Sequence, residues 1–193
     1  MQKNTFTHFC SAVLFGCATF LSACNQKTMS VFKADEQAGF NGSFEYSKDG
    51  LPVNWQLYTA QTVPWGDFEI SLDTSKVKSG RQSLKFEVRA CDTTGGWYSP
   101  GMASQIPAKA GEQYRISFWL MNEGGRFRAK VAGVAATSGD SQIMVESSKS
   151  HANWTYYEYR YTIPAKMNTL RFEFNGLSLG TFWLDDVRLE KMP

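Results

Sequence analysis

Two glutamates in the second half of the chain could do catalytic chemistry. Glu158 and Glu173 each fall on the polar side of a segment that alternates apolar and polar residues, so both are predicted to point out of a sheet. Glycoside hydrolysis needs two carboxylates that flank one bond, about 5.5 Å apart for retention or about 6.5–9.5 Å apart for inversion. Outward glutamates on strands are usually solvated, so the pattern allows a hydrolase without requiring one.

A third carboxylate, Asp185, falls where a hydrophobic residue is expected. In the segment 180–190, period-two alternation puts Asp185 on the same side as Trp183, Val187 and Leu189, the side that is predicted to face a core. Asp186 falls on the opposite side and is predicted to be a solvated surface charge. Burying an unpaired carboxylate costs several kcal/mol or forces it to protonate. Asp185 therefore requires a cation or hydrogen-bond donors beside it.

Aromatic residues outside the predicted core could bind a sugar. Trp97 and Tyr98 follow the glycine turn DTTGG and precede a second turn, SPG. Trp119 lies on the polar face of its segment, flanked on that face by Ser117 and Met121. Sugars present apolar C–H faces beside hydroxyl groups, so an aromatic platform with nearby planar hydrogen-bonding groups suits them. A solvated sheet face explains Trp119 equally well, and both interpretations stay open.

The elements that must position these residues are short strands. From residue 39 onward, segments with period-two alternation are separated by turn residues, and no window of helical length has an apolar 3.6-residue period. We expect an all-β fold, a jelly-roll β-sandwich of two antiparallel sheets with about ten strands. The inward residues of four segments are Leu84, Phe86 and Val88; Tyr114, Ile116, Phe118 and Leu120; Tyr157, Tyr159, Tyr161 and Ile163; and Leu170, Phe172 and Phe174.

Charge and cysteine content exclude several classes of function. The chain has 20 Lys and Arg against 18 Asp and Glu and no basic run, so nucleic acid and anionic membrane surfaces are not expected partners. Cys10, Cys17 and Cys24 all lie near the start, which leaves Cys91 by itself in the remainder. That remainder can form neither an internal disulfide nor a cysteine-rich metal cluster. Cys91 is predicted to be a buried or half-buried filler.

The start of the chain is typical of a secretory signal. A basic, acid-free start is followed by the apolar run FCSAVLFGCATFLSAC, which is too short to span a bilayer. The end of this run, LSAC at residues 21–24, resembles the lipobox of bacterial lipoproteins. That resemblance implies cleavage before Cys24 and acylation of this cysteine, and two or three acyl chains give stable anchoring. The alternative is an ordinary cleaved signal with an incidental cysteine.

These features predict the domain organisation and the location of the protein. Residues 1–23 are predicted to be the signal peptide, 24–37 the lipidated cysteine with a flexible tether, and 38–193 the β-sandwich. The expected location is the bacterial cell envelope, with the protein lipid-anchored to the outer membrane on its periplasmic or surface face.

Six short motifs in a fixed order resemble a known family. They are NGSFE, GLPVNW, KSGRQSLKF, SQIPAKAGEQYRISFWL, NWTYYEYRYTIP and GTFWLDDVRLE. In this order and spacing they resemble the galactose-binding-like jelly rolls of the carbohydrate-binding modules of families 4, 9 and 22, over residues 39–190. The resemblance implies a non-catalytic module that binds a glycan or polysaccharide. Modules of this type often accompany glycoside hydrolases.

The resemblance also implies a structural calcium ion beside Asp185. In that family the ion ties together the first strand, the SG loop and the last strand. The matching positions are the Glu45 side chain, the Ser43 carbonyl, the carbonyls around Gly80, and Asp185. Calcium takes six to eight oxygen ligands from carboxylates and carbonyls. The alternative is that Asp185 accepts hydrogen bonds from backbone amides, or pairs with a Lys or an Arg.

The resemblance further implies a ligand cleft across the concave sheet. Positions that match the cleft lining are Gln105, Arg171 and Glu173, with Arg128 or Lys130 as further candidates. The predicted ligand-binding set joins the first three to the aromatic residues Trp97, Tyr98 and Trp119.

Three functions compete for this sequence. The leading one is non-catalytic glycan binding by a lipid-anchored module. The second is a structural or adhesion module that uses the same fold to bind a protein or an envelope component. The third is a small hydrolase. Aromatic side chains in a groove favour the first, a flat apolar patch the second, and two carboxylates converging in a cleft the third.

Overall fold

The structure, a computed structural model, describes residues 32–193, without the side chain of Trp97. This part of the chain is almost entirely strand, as the alternation predicts. The strands are β1 (Ser47–Lys48), β2 (Leu51–Pro52), β3 (Gln56–Tyr58), β4 (Asp67–Asp73), β5 (Ser83–Ala90), β6 (Gly101–Pro107), β7 (Gln113–Glu123), β8 (Phe127–Ala135), β9 (Ser138–Ser147), β10 (His151–Thr162), β11 (Thr169–Gly176) and β12 (Gly180–Lys191). A short 3-10 turn, Gly96–Tyr98, precedes β6.

Two five-stranded antiparallel sheets form the sandwich. The first sheet has the order β10-β7-β12-β5-β4 and the second has the order β3-β6-β11-β8-β9; β1 and β2 form a separate short ribbon. Neighbours within each sheet are mostly distant in sequence, as β11 shows by pairing with both β6 and β8. The prediction of a jelly-roll sandwich of two antiparallel sheets is confirmed.

The core lies between the two sheets and is rich in aromatic side chains. Phe172 of the second sheet packs against Phe118 of the first, with ring centroids 5.5 Å apart, and both are fully buried. Each aromatic side chain of this kind removes about 150–250 Å² of surface from water. The inward series predicted on β5, β7 and β11 is confirmed. On the edge strand β10, Tyr157 and Tyr159 are only half-buried.

The last strand departs from simple alternation at a β-bulge. Between Asp185 and Arg188 the register advances three residues on β12, while the paired residues on β7 advance only two, from Trp119 to Ser117. The extra residue is Asp186, whose φ of 52° is in the left-handed region that Asp tolerates. The faces of the sheet toward which odd- and even-numbered residues of β12 point are therefore exchanged at the bulge.

Because of the bulge, some side chains of this strand face the other side of the sheet from the one predicted. Phe182 and Leu184 point into the core, as does Val187 beyond the bulge. Trp183 and Asp185 instead lie on the outer side of the first sheet, although both are buried. Trp183 is covered there by Lys76, whose Nζ lies 3.9 Å from the ring centroid. The expectation that Asp185 shares a core-facing side with Val187 is wrong because one inserted residue reverses the facing.

The chain contacts the domain before the predicted domain boundary. The carbonyl of Lys33 accepts the Asn54 amide at 2.7 Å, and the Asp35 amide donates to the Asn54 side chain at 2.8 Å. The last residues of the predicted tether therefore lie against the sandwich, whereas the signal peptide and Cys24 lie outside the described residues. Within residues 32–193, no helix is long and apolar enough to cross a membrane.

Candidate functional site

The outer face of the second sheet carries two hollows that meet at Arg171. The larger one, about 520 Å³, is lined by Phe32, Phe40, Asn54, Gln56, Gln105 and Arg171, among others. The smaller one, about 170 Å³, is lined by Lys130, Ala132, Ser141, Arg171 and Glu173, among others. We call the two hollows together the groove. It runs from the edge of the sheet near β3 to β9.

The larger hollow exists because β3 is short. β3 pairs with β6 only from Gly101 to Ala103, so residues 104–107 of β6 extend past the end of β3. Phe40 approaches this open edge and is fixed by an edge-to-face contact with Trp55, with ring centroids 5.1 Å apart. The result is a concave surface that combines a phenyl ring with amide side chains and one guanidinium group.

A network of polar side chains fills the middle of the groove. Alternation along β11 points Arg171 and Glu173 outward, because Leu170, Phe172 and Phe174 point into the core. The Tyr58 hydroxyl donates to Glu173 Oε2 at 3.1 Å, and Arg171 Nη2 donates to the Tyr58 oxygen at 2.9 Å. Lys130 Nζ lies 2.9 Å from Glu173 Oε1.

This network holds its members in position and keeps the Tyr58 hydroxyl protonated. Burial raises the pKa of the Tyr58 hydroxyl, and the negative charge of Glu173 raises it further, so Tyr58 stays neutral. Glu173 is 8 % exposed, and a carboxylate this deeply buried is tolerated because two cations and a hydroxyl surround it. The groove therefore presents pre-positioned donors without a large rearrangement.

The 3-10 turn closes one end of the groove face. Asn175, two residues beyond Glu173 on β11, accepts the Gly96 amide at 3.0 Å and donates to the Gly96 carbonyl at 3.1 Å. Gly95 has φ 82°, in the left-handed region that favours glycine, and a Cβ at this residue would lie 1.8 Å from Arg128 Nη2, so a larger residue would be strained and would displace the Arg128 side chain. Tyr98 in this turn is 60 % exposed and stands free to contact a ligand at this end.

A second exposed aromatic residue, Trp65, belongs to a neighbouring loop that sequence reasoning missed. Val63 of this loop packs on Tyr58 and Ala103 of the groove sheet, and Trp65 is 79 % exposed. The available signal is its setting, VPWGD, in which proline and glycine flank a tryptophan as turn residues do. Tyr58 and Gln56 were missed because β3 is too short to show alternation.

The structure brings together some of the predicted ligand-binding residues and separates one. Gln105, Arg171 and Glu173 lie in the groove. Tyr98 lies in the 3-10 turn that Asn175 of β11 holds, and the side chain of Trp97 is outside the described part. Trp119 lies on the outer face of the first sheet. There it contacts Tyr156, with ring centroids 5.2 Å apart, and the Nζ of Lys78 sits over its ring at 4.2 Å.

The two glutamates considered as a hydrolase pair also lie on different faces. Glu158 pairs across β10 and β7 with Ser117 and points outward from the first sheet, where it accepts a hydrogen bond from the Tyr156 hydroxyl at 2.9 Å. Glu173 points outward from the second sheet. The whole core separates the two carboxylates, so they cannot flank one glycosidic bond.

Two of the predicted calcium ligands, Glu45 and Asp185, converge on one loop, residues 78–82, but its amides face the carboxylates. Asp185 Oδ2 accepts the amides of Lys78 and Ser79, each at 2.9 Å. Glu45 Oε1 accepts the amides of Arg81 at 2.8 Å and Gln82 at 3.2 Å. The loop therefore binds both carboxylates through four N–H groups.

The loop packs closely on Glu45 at Gly80, and the pKa values of the two carboxyl groups shift in opposite directions. Gly80 has φ 70°, and a Cβ there would lie 2.4 Å from Glu45 Oε1, so the loop backbone packs directly on the carboxylate. Burial raises the pKa of Glu45, but hydrogen bonds from Arg81 and Gln82 outweigh it and lower the pKa below its usual value. Burial dominates at Asp185 and raises its pKa to about 6 despite its three backbone hydrogen bonds.

This arrangement does not fit a calcium ion. A bound cation needs carboxylate and carbonyl lone pairs directed at it, whereas here the positive ends of four amide dipoles occupy the near side of both carboxylates. Among the described residues, no group of three or more Asp, Glu, His or Cys side chains could hold a metal. The geometry is that of the alternative interpretation, in which Asp185 accepts hydrogen bonds from backbone amides, and calcium here stays a prediction from the resemblance.

Several solved structures with the same fold are carbohydrate-binding modules. The CBM22-2 xylan-binding domain of Xyn10C from Paenibacillus barcinonensis aligns with a TM-score of 0.53 and 16 % identity, over 75 % of this chain and 95 % of that one. A CBM4 structure aligns with a TM-score of 0.54 and 17 % identity, over 79 % of this chain and 98 % of the other. At these identities the likeness shows the fold.

A larger protein aligns through one of its modules. The CBM22-1 and GH10 modules of endo-1,4-beta-D-xylanase 10B from Clostridium thermocellum, solved with xylohexaose, align with a TM-score of 0.56 and 14 % identity. The alignment covers 72 % of this chain but only 26 % of the xylanase chain.

Comparison of the sequence itself gives the family. No curated protein sequence matches the chain. The family model described as a carbohydrate binding domain, of the family 4 and 9 type, matches residues 37–179, which is most of the chain and includes β1 to β11. The chain therefore belongs to this family of carbohydrate binding domains.

Proposed function

We propose that the protein is a non-catalytic, lipid-anchored module that holds a polysaccharide at the bacterial cell envelope. The observation that carries the binding role is the groove, in which two hollows meet at Arg171 on the open face of the second sheet. Membership of a carbohydrate-binding family supports the same conclusion.

The chemistry of the groove suits a chain of sugar rings. Gln56, Gln105 and Arg171 offer planar donors and acceptors that match sugar hydroxyl groups. Phe32 and Phe40 give the larger hollow an apolar wall against which a sugar C–H face can pack. A hollow of about 520 Å³ is within the usual size range of a ligand site, and the adjoining smaller hollow extends it along the sheet.

The absence of catalysis is part of the proposal. Glu173 is surrounded by Lys130, Arg171 and Tyr58, and its contacts with Lys130 and Tyr58 involve both carboxylate oxygens, which makes it poorly placed to act as a general acid. Glu158, its candidate partner for hydrolysis, lies on the other face of the sandwich. A binding role in support of a separate enzyme agrees with this arrangement.

Anchoring through Cys24 rests on sequence features. The run LSAC at residues 21–24 follows a short apolar segment, and acyl chains on this cysteine would hold the domain at the membrane. The proposed location is the outer membrane. The sandwich would then display the groove to polysaccharide near the cell.

A glycan array probed with the purified protein tests the binding role, and affinity electrophoresis in gels cast with plant and microbial polysaccharides provides an independent measurement. We expect retention by at least one polysaccharide, and Gln105→Ala should weaken it. Failure to retain any polysaccharide in both assays would contradict the proposal and favour the alternative, a module that binds a protein or an envelope component.

A further inference from the structure

The charge of the described domain is balanced overall but not in the groove. All 18 Asp and Glu residues of the chain lie at or after Asp35, and two of its 20 Lys and Arg, Lys3 and Lys27, precede residue 32. Residues 32–193 therefore contain 18 basic and 18 acidic side chains. A local excess of one sign on this neutral background is informative about the ligand.

Four basic side chains around β8 and β11 share two carboxylates. Glu173 is paired with both Lys130, at 2.9 Å, and Arg171, at 3.5 Å. Glu146 on β9 is paired with both Arg128, at 3.7 Å, and Arg126, at 3.8 Å. Each carboxylate neutralises one of its two cations, so these six side chains have a net charge of +2.

Part of this excess positive charge lies in the larger hollow. Among its described lining residues, Arg171 is the one that is charged, and Asn54, Gln56 and Gln105 contribute neutral amides. No carboxylate lines this hollow to repel an anion. The Arg171 side chain is 20 % exposed, so its guanidinium group is held by the network yet reachable from the hollow.

The outer face of the first sheet provides an internal comparison. A hollow of about 180 Å³ there is lined by Arg115, Arg188, Asp186 and Glu190, among others. Arg115 pairs with Glu190 at 2.6 Å and Arg188 with Asp186 at 2.8 Å. The charges that line this hollow balance one to one, so the cationic excess distinguishes the groove from this hollow.

We infer that the groove binds an acidic polysaccharide, with a uronic acid carboxylate of the ligand lying against Arg171 and Lys130. This inference rests on the proposed function and names the class of glycan. A ligand carboxylate would add a second negative charge beside Lys130 and Arg171, the two cations that both pair with Glu173. The planar guanidinium and amide groups of the larger hollow match a planar carboxylate in geometry as well as in charge.

A matched pair of polysaccharides isolates the charge of the ligand. Glucuronoxylan is compared with the same preparation after its uronic acid carboxyl groups have been reduced to alcohols, so the backbone is constant. Polygalacturonate and its methyl ester form a second pair on a different backbone. Binding of the purified full-length protein in non-ionic detergent is measured by isothermal titration calorimetry at low salt and at about 200 mM salt, where exposed charges are screened.

Three variants with the same change of charge locate the effect. Arg171→Gln and Lys130→Gln each remove one cation from the groove. Arg160→Gln removes one from the outer face of the first sheet, where Arg160 pairs across the strands with Arg115 and is exposed. Circular dichroism and thermal melts establish which variants are folded. If Arg171→Gln does not fold, Lys130→Gln decides the result.

We expect the acidic member of at least one pair to bind about tenfold or more tightly than its neutral counterpart at low salt, because charge-assisted hydrogen bonds are stronger than neutral ones. Arg171→Gln and Lys130→Gln should each weaken binding of the acidic member by a larger factor than binding of the neutral member, so that most of the preference is lost, and Arg160→Gln should keep it. Equal binding of both members of each pair overturns the inference and leaves the proposed function intact. An equal loss with Arg160→Gln also overturns it, because the attraction would then be general. Retention of no polysaccharide at all contradicts the proposed function itself.

Discussion

Trp119 and Arg171 lie on opposite outer faces of the sandwich, with the whole aromatic core between them. Trp119 faces out from β7 beside Tyr156, whereas Arg171 faces out from β11 into the groove. No ligand in the groove can contact both side chains. Because Trp119 and Arg171 lie on opposite faces, they cannot belong to the same binding site.

The first prediction is that Trp119→Ala leaves glycan binding within about twofold of wild type, while Gln105→Ala weakens it several-fold. A hydrogen bond to a neutral side chain is worth about 1 kcal/mol, which corresponds to roughly fivefold in affinity. Titration calorimetry with the best ligand from the array measures both. If the Trp119 variant lost binding while its melting curve stayed normal, the ligand would have to occupy the face of the first sheet.

The second prediction concerns chelation. In the arrangement described, backbone amides of the loop at residues 78–82 hold both Glu45 and Asp185, so excess chelator should leave the melting temperature unchanged. Asp185→Ala should destabilise the domain by about 1–3 kcal/mol, because it leaves buried amides without acceptors. Differential scanning calorimetry with and without chelator makes the measurement.

If the melting temperature fell by several degrees in chelator and recovered when calcium was added, the loop would have to rearrange around an ion. An ion at about 100 times its dissociation constant adds roughly 2.7 kcal/mol. Metal analysis of the purified protein provides the control, because it should then find calcium in proportion to protein.

The third prediction is a loss of stability in acid that involves Asp73. Burial raises the pKa of Asp73, but hydrogen bonds from Ser75, Trp183 and Lys76 outweigh it and lower the pKa to about 2. A carboxyl group whose pKa is lower in the folded state stabilises the fold above its unfolded pKa of about 3.9, and this contribution is lost as the pH falls through about 2.

Asp73→Asn should therefore reduce the difference in the free energy of unfolding between pH 6 and pH 2, by about 1 kcal/mol after solvent screening is allowed for. Urea denaturation at both pH values measures it. Trp183→Phe, which removes the indole donor 2.8 Å from Asp73 Oδ2, should remove part of the same dependence. An unchanged pH dependence in Asp73→Asn would mean that this carboxyl group is not stabilised by its neighbours.

The fourth prediction concerns the anchor. Cys24→Ser should release the protein from membranes, because acylation needs the thiol. Detergent phase partitioning of cells that express wild type and variant measures this, and Cys91→Ser is the matched control that should remain with the membrane. Equal recovery of wild type and Cys24→Ser in the aqueous phase would contradict the lipid anchor.

Local patterns in the sequence were enough to predict the strands and which side of most strands faces the core. Phe172 and Phe174 point inward and Arg171 and Glu173 outward because side chains alternate along any strand, and this alternation is a local property of the backbone. The order of the six motifs likewise determined the family, since it depends on the sequence alone. Both predictions were confirmed without knowledge of which strands are neighbours.

Only the tertiary structure decided which outward residues share a face. Alternation places Trp119 and Arg171 on outer faces. Which of the two sheets a strand belongs to depends on pairing with strands that are far apart in sequence, as β11 pairs with β6 and β8. Whether Asp185 and Val187 face the same side depended on a one-residue bulge between them, which reverses the facing of every later side chain in the strand. The open edge beside β3 depended on where the pairing of β3 and β6 stops. Side-chain periodicity encodes inside and outside, whereas sheet membership, bulges and edges are set by non-local hydrogen bonding.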